Sequence, residues 1–310
     1  DQDCNDSSAS NDIHKGISMT EICLLDGGMG QEVVHRAGDN PTPLWSTQVM
    51  IDHPGMVAQV HSDYRAAGAT VHTTNTYAIH RDRLVGTGLE DQFAALHSAA
   101  LQEAKGSGAI AGSIGPLLGS YRHDIHPSHD DAVPIYAEVA TLLAPHVDLI
   151  ICETVASLVH ARAVLEAAAA TGKPVWLSMT VDDTDGTRLR SGEPLADVLP
   201  FAGAATALLA NCSAPEAMDA ALKVLAQSGL PFGAYANGFT QITKDFLKDK
   251  PTVDALSARK DLGPEAYAAF AMRWIDQGAT IVGGCCEVGP AHIAKLAETI
   301  KSAGHTITTP

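Results

Sequence analysis

A chain of 310 residues with 45% apolar side chains can build a large core, and it holds no run approaching the roughly 20 uninterrupted apolar residues that a membrane helix needs. Its 36 acidic against 20 basic residues give a formal charge of −16, which opposes a nucleic-acid role, because basic patches must replace phosphate counterions there. The first 18 residues lack the basic start and apolar stretch of a secretory signal, so 1–20 reads as a disordered leader, and the six cysteines are expected as reduced thiols in the cytoplasm.

From Glu21 onward a short β-rich run, a polar or glycine-containing turn and an amphipathic stretch recur. The runs are Ile22–Asp26, Thr70–Thr74, Ala109–Gly112, Leu149–Glu153, Val175–Thr180, Ala207–Asn211, Phe232–Ala236 and Thr280–Gly283. Apolar runs of this length without strict alternation suit strands buried on both faces, as in parallel sheets. Between them, His53-Pro54 opens a helix continuing through Val57, Val60 and Tyr64, with proline in its first turn. Further helices are expected over Asp91–Gly106 and Val133–Ala144, and from a Ser157 cap to Ala170. Residues 194–202 offer a short, weak helix. Met218, Leu222 and Leu225 share the face of another, Gly263-Pro264 opens one to Gln277, and Ile293, Leu296 and Ile300 mark the last.

Alternation of this kind implies right-handed crossovers, and eight units over roughly 280 residues predict a single-domain α/β fold, a closed (β/α)8 TIM barrel over 21–303 with a short tail at 304–310. A doubly wound sheet is the rival, but the first turn, Asp26-Gly27-Gly28-Met29-Gly30, lacks G-x-G-x-x-G spacing. The longest irregular connection, 237–262, follows the seventh strand, where a lid or donor-site loop and a solvated insertion are equally good readings.

In such a barrel the carboxyl ends of the strands form one rim. Asp26, Thr74-Asn75, Glu153, Asn211-Cys212, Asn237 and Cys285-Cys286 all fall there. Past Gly283-Gly284 the backbone is free to turn both adjacent sulfurs toward one ion, and Cys212 would complete a three-thiolate set leaving a fourth position open, as in catalytic zinc sites. Three small buried residues, or a vicinal disulfide at 285–286, are the other readings of the same cysteines. Asp26 and Glu153 could equally cap the turns that follow them. The stretch His123-x-x-His126-x-x-His129 reads as a solvated loop rather than a metal site.

The segments LLDGGMG (24–30), HSDYRAAGA (61–69), TNTY (74–77), AGSIGP (111–116), ICET (151–154), SGEPL (191–195), ANCSAPEA (210–217) and GATIVGGCCEVGPAHI (278–293) resemble the homocysteine S-methyltransferase family over about residues 21–302. The resemblance implies an enzyme in which Cys212, Cys285 and Cys286 bind Zn²⁺ and homocysteine sulfur takes the fourth position. It also implies that Asp26, the Gly27-Gly28 backbone, Thr74 and Glu153 hold the amino-acid end. Family donors are S-methylmethionine, S-adenosylmethionine or betaine, whose positive centre Trp45 and Tyr77 could face. Betaine-using relatives carry a tyrosine where this chain has Ala78, so a sulfonium donor is expected, with methionine as product. A different thiol or selenol acceptor, or a zinc- or thiol-binding barrel without turnover, are the alternatives.

Overall fold

The computed structural model describes residues 19–40, 42–238 and 259–310. The leader and most of segment 237–262 lie outside the described residues. In chain order the elements are β1 (Glu21–Leu24), α1 (Met29–Arg36), α2 (Ser46–Asp52), α3 (Met56–Ala67), β2 (Val71–Thr73), α4 (Arg81–Leu84), α5 (Phe93–Ala104), β3 (Ala109–Ile114) and α6 (His129–Leu143). There follow β4 (Leu149–Val155), α7 (Leu158–Ala169), β5 (Val175–Met179), β6 (Ala207–Asn211), α8 (Pro215–Leu225), β7 (Phe232–Ala236), α9 (Pro264–Asp276), β8 (Ile281–Gly284), α10 (Pro290–Ser302) and β9 (Thr306–Thr308). The weak helix expected over 194–202 is a 3-10 run, Leu195–Ala204, with Pro200 inside it.

The strands form one sheet in the order β2-β3-β4-β5-β6-β7-β8-β1-β9, every neighbouring pair parallel. Strands β2 to β8 are buried largely on two faces. Leu25, Val71, Ile151, Trp176, Leu209 and Tyr235 fill the concave side, while Leu24, Ile150, Leu177, Leu208 and Val282 pack outward against the helices. All seven residues of β4 are buried, which is why its sequence shows no polar alternation.

The closed eight-stranded barrel expected from the sequence is not what forms. The sheet curls through 289° and leaves its edges 9 Å apart, so it is an open, curled half-barrel of nine strands. The ninth strand supplies the physical reason. β9 lies in the segment expected to be a tail, and it pairs with β1 at Glu21–Cys23. It thereby occupies the side of β1 that a closing β2 would use. Only the carboxyl end of β1 reaches β2, through an isolated bridge of Leu25 to Val71 and bonds from Asp26 N to Val71 O (3.0 Å) and Thr70 N to Leu24 O (2.8 Å). Thr70 Oγ1 also donates to Thr308 O (2.7 Å), tying the inserted strand into the seam. The strand ends stay converged on the side that matters for the site. Among the described residues no helix is long and apolar enough to cross a membrane.

Candidate metal centre and substrate cavity

Strands β6 and β8 end beside one another's neighbour β7, and their backbone bonds aim the cysteines. Cys212 N donates to Tyr235 O (3.3 Å) and Cys285 N to Ala236 O (2.9 Å), so both residues hang from the end of β7. The Cys212 and Cys285 sulfurs lie at bonding distance, with Cα atoms 5.7 Å apart, and the Cys286 sulfur lies within 4.8 Å of both. The structure therefore brings together three sulfurs from residues more than seventy positions apart. Cys286 is half-buried, and desolvation, followed by the charges of Glu287 and Glu153, pushes its thiol up to about 12. A thiol held that high stays protonated near neutrality unless a cation stabilises the thiolate. The chemistry of this donor set fits a thiophilic divalent ion with one position left over.

Backbone strain concentrates around the same place. Cys212 (φ 47°), Thr154 (φ 56°) and Glu287 (φ 63°) adopt left-handed conformations that cost non-glycine residues about 1–3 kcal/mol each. The Cys212 carbonyl accepts from Thr180 Oγ1 (3.1 Å) and Arg190 Nη2 (3.2 Å), and Arg190 is clamped by both oxygens of Asp183 at 2.8 and 3.0 Å. These bonds hold the Cys212 turn in its strained shape. Arg190 lies beside the resemblance segment 191–195, but nothing in its spacing identified this role.

The paired glycines serve close approach. Gly28 has an ordinary φ of −69°, yet a Cβ there would stand 2.5 Å from Cys285 O and 3.1 Å from Cys286 Cα. At Gly27 it would meet Val288 O at 2.0 Å and the Tyr64 ring at 2.8 Å. The Gly28 amide donates to Val288 O (2.9 Å), which ties the glycine turn to the loop that follows Cys286. Gly28→Ala is accordingly expected to displace the 285–286 turn while keeping every sulfur, lowering metal affinity at least tenfold in a chelator-competition titration. Unchanged affinity would mean that the turn has slack the packing does not show.

Opposite the sulfurs stand two buried acids. Asp26 Oδ2 accepts from Thr73 N (2.9 Å), and both its oxygens lie within 3.2 Å of Thr73 Oγ1. Glu153 accepts from Ser113 Oγ (2.5 Å) and Tyr235 OH (3.1 Å). Burial raises both carboxyls above their ordinary range, against the lowering effect of these bonds, and the Glu153 charge raises Asp26 further. A pair of desolvated acids at one cavity is best satisfied by a cationic group. Thr74 lines the cavity too, but its hydroxyl is engaged with Thr76 Oγ1 (2.7 Å) and with Ser113 N (3.0 Å). Thr73, Ser113 and Tyr235, not singled out in the sequence, make the direct bonds to the acids.

All these groups line one cavity of about 280 Å³, together with Trp45, Tyr77 and Ala78. Trp45 and Tyr77 meet edge to face with ring centroids 6.4 Å apart, and Tyr77 OH pairs with Ser120 Oγ (2.8 Å). The 123–129 histidines are elsewhere. His126 Nε2 pairs with Tyr136 OH (2.9 Å) and His129 with Asp130 and Glu166 (3.0 Å each), and they form no metal-capable group among the described residues.

Comparison with known proteins agrees with this arrangement. A family model described as homocysteine S-methyltransferase matches residues 23–300. The chain is 30% identical to the homocysteine S-methyltransferase of Escherichia coli K12, the match covering 93% of this chain and 98% of that protein. It is 25% identical to homocysteine S-methyltransferase YbgG of Bacillus subtilis, over 94% and 98% respectively. Among solved structures, the metallated form of the E. coli homocysteine methyltransferase MmuM superposes with a TM-score of 0.75 at 29% identity, covering 90% of this chain and 96% of that one. Its oxidised form superposes with a TM-score of 0.74.

Proposed function

The chain belongs to the homocysteine S-methyltransferase family, and from that premise we propose that its metal is zinc, held by Cys212, Cys285 and Cys286, and that its donor is a small sulfonium compound. The activity itself is methyl transfer to homocysteine, giving methionine, at a metal-associated site. The observation that carries the finer reading is the meeting of three sulfurs within 4.8 Å of one another with two buried acids on a single cavity.

Zinc bound by the three sulfurs supplies the charge that keeps a substrate sulfur as thiolate near neutral pH, where a free thiol of pKa about 8.5 is mostly protonated. The protein's own groups do the rest. Asp26 and Glu153 take the homocysteine ammonium, which relieves the unfavourable burial of two carboxylates. The substrate carboxylate is placed at the amino end of α1, whose first residues line the cavity and whose dipole favours an anion. Trp45 and Tyr77 offer ring faces to the donor's positive centre. With both partners fixed, the homocysteine sulfur attacks the donor methyl carbon in line. The new S–C bond forms as the sulfonium S–C bond breaks, and the departing electron pair leaves a neutral thioether. Orienting two reactants in this way is worth up to about 7–11 kcal/mol.

The test is a donor panel with homocysteine, product identified by mass. S-methylmethionine or S-adenosylmethionine should yield methionine, and betaine should yield little. Faster turnover with betaine would overturn the sulfonium reading. Failure of every methylated donor with zinc-loaded protein would favour a binding barrel without turnover.

A further inference from the structure

A second group of ligating side chains lies in the wall of the half-barrel, with two histidines behind the cavity and Asp26 on its lining. His61 sits on the inward face of α3 with Val57, Val60 and Tyr64. His72 is the middle residue of β2. Because Val71 belongs to the concave core and successive strand side chains alternate, His72 faces outward toward α3. Asp26 ends β1 at the open seam. One ligand atom from each of the three lies within 4.8 Å of the others, and the residues are 2%, 1% and 0% exposed for Asp26, His61 and His72.

These two histidines differ from the chain's other buried ones. His80 bonds Gly115 O, His97 bonds Phe93 O and His160 accepts from Ala156 N, so each has one satisfied ring nitrogen. In His61 both ring nitrogens are buried without a hydrogen-bond partner, and in His72 neither makes a well-formed bond, the Ala69 backbone being its one polar contact. Nor do they pair with each other, since their rings meet nearly at right angles with centroids 6.0 Å apart. Two orphaned nitrogens on His61 and a poorly bonded imidazole at His72, beside a carboxylate that Thr73 satisfies only in part, require an explanation.

We propose that Asp26, His61 and His72 form a second divalent-cation site, distinct from the three sulfurs, and that a cation there inhibits the enzyme by occupying Asp26. Two imidazoles and a carboxylate suit Zn²⁺, Co²⁺ or Ni²⁺, while the sulfur set suits Zn²⁺ as well as softer ions. The imidazoles are available as ligands because burial holds His61 down to about 3 and His72 to about 4, so both are neutral at physiological pH. The ligand atoms must draw together, since tetrahedral coordination at roughly 2.1 Å sets neighbours about 3.4 Å apart. Turning the two rings can achieve this at the cost of no more than the poorly formed His72 contact with the Ala69 backbone. The inhibitory effect rests on the reading that Asp26 holds the homocysteine ammonium. The site itself does not.

The experiment titrates the full chain with Co²⁺ alone and with Zn²⁺ alone. Two equivalents should bind to the unaltered protein. The triple variant Cys212→Ser, Cys285→Ser, Cys286→Ser should retain one, with a cobalt spectrum lacking sulfur-to-metal charge-transfer bands, and should gain thermal stability from Zn²⁺. Adding His72→Leu should abolish that equivalent. His72→Gln, which keeps a polar side chain, serves if the leucine variant does not fold. In the otherwise unaltered enzyme, His72→Leu should bind one equivalent and lose the rise in homocysteine KM that excess Zn²⁺ causes. A triple variant that binds no cation, or one still binding it after His72 is replaced, overturns the site. A cation bound there that leaves the homocysteine KM unchanged overturns the inhibition and, with it, the placing of the ammonium on Asp26.

Discussion

Cys286→Ser is expected to lose its metal and to form methionine at least a thousandfold more slowly, a barrier increase of about 4 kcal/mol. The serine hydroxyl is a harder and far less acidic ligand than a thiol, so it does not replace one of three thiolates around zinc. Homocysteine then enters as a mostly protonated thiol with no group to fix its sulfur. Elemental analysis and kcat/KM measure both losses, and circular dichroism checks the fold. Cys23→Ser is the control, because Cys23 lies on β1 outside the three-sulfur group and should change neither metal content nor rate. A Cys286→Ser protein with full metal and full activity would remove Cys286 from the ligand set.

The eight central strands were legible in the sequence because most are buried on two faces and so present an unbroken apolar run, β4 most clearly. What the runs do not encode is closure. Whether β1 pairs with β2 depends on Thr306–Thr308, three half-exposed residues with no apolar pattern, which take the place beside β1. The helices α1 and α2 escaped for a different reason. α1 starts directly from a glycine-rich turn without a side-chain cap, and α2 follows Trp45, whose left-handed φ of 49° carries no sequence signature. α3 begins at Met56, three residues after the histidine expected to open it, because Gly55 adopts a positive φ at its cap.

In the site, strand-end position put Asp26, Glu153 and the three cysteines on one rim but left turn capping and core packing open as readings, and the family resemblance supplied their expected roles. The supporting groups were harder to read. Ser113 and Tyr235 lie inside strands, where a small or aromatic residue looks like packing, and only three dimensions show their bonds to Glu153. Thr73 rather than Thr74 bonds Asp26, a difference of one residue that depends on which way the end of β2 faces. His61 and His72 lie eleven positions apart on a helix and a strand, a spacing that matches no metal motif.

Acid should unfold this protein early, with the melting temperature falling steeply between about pH 6.5 and 5. Four buried histidines drive the effect. Burial holds His61 and His80 down to about 3 and His72 to about 4. Burial together with the neighbouring His126 and His80 lowers His160 well below its ordinary value. A histidine whose folded pKa is depressed binds its proton first in the unfolded chain. Its stabilising contribution is therefore complete above about 6.5 and is lost as pH falls toward the folded value. At about pH 5 His61, His72 and His80 each forfeit about 2 kcal/mol, so the three together forfeit about 6 kcal/mol, a large part of the 5–15 kcal/mol typical of a folded domain, and His160 acts in the same direction. Asp26 and Glu153 act in the opposite direction. Their folded pKa values are raised, so their burial penalty at neutral pH is relieved on acidification and offsets part of the loss. The surface acids held low by ion pairs, such as Asp63 beside Arg36 and Glu138 beside Arg81, release their contribution only below about pH 4.5 and so fall outside this window. Thermal melts across the range should show net proton uptake on unfolding at about pH 5.5, and His72→Leu should flatten the slope by about one proton. A melting temperature that holds constant from pH 7 to 5 in both proteins would mean that these imidazoles are hydrated or already paired in the folded chain.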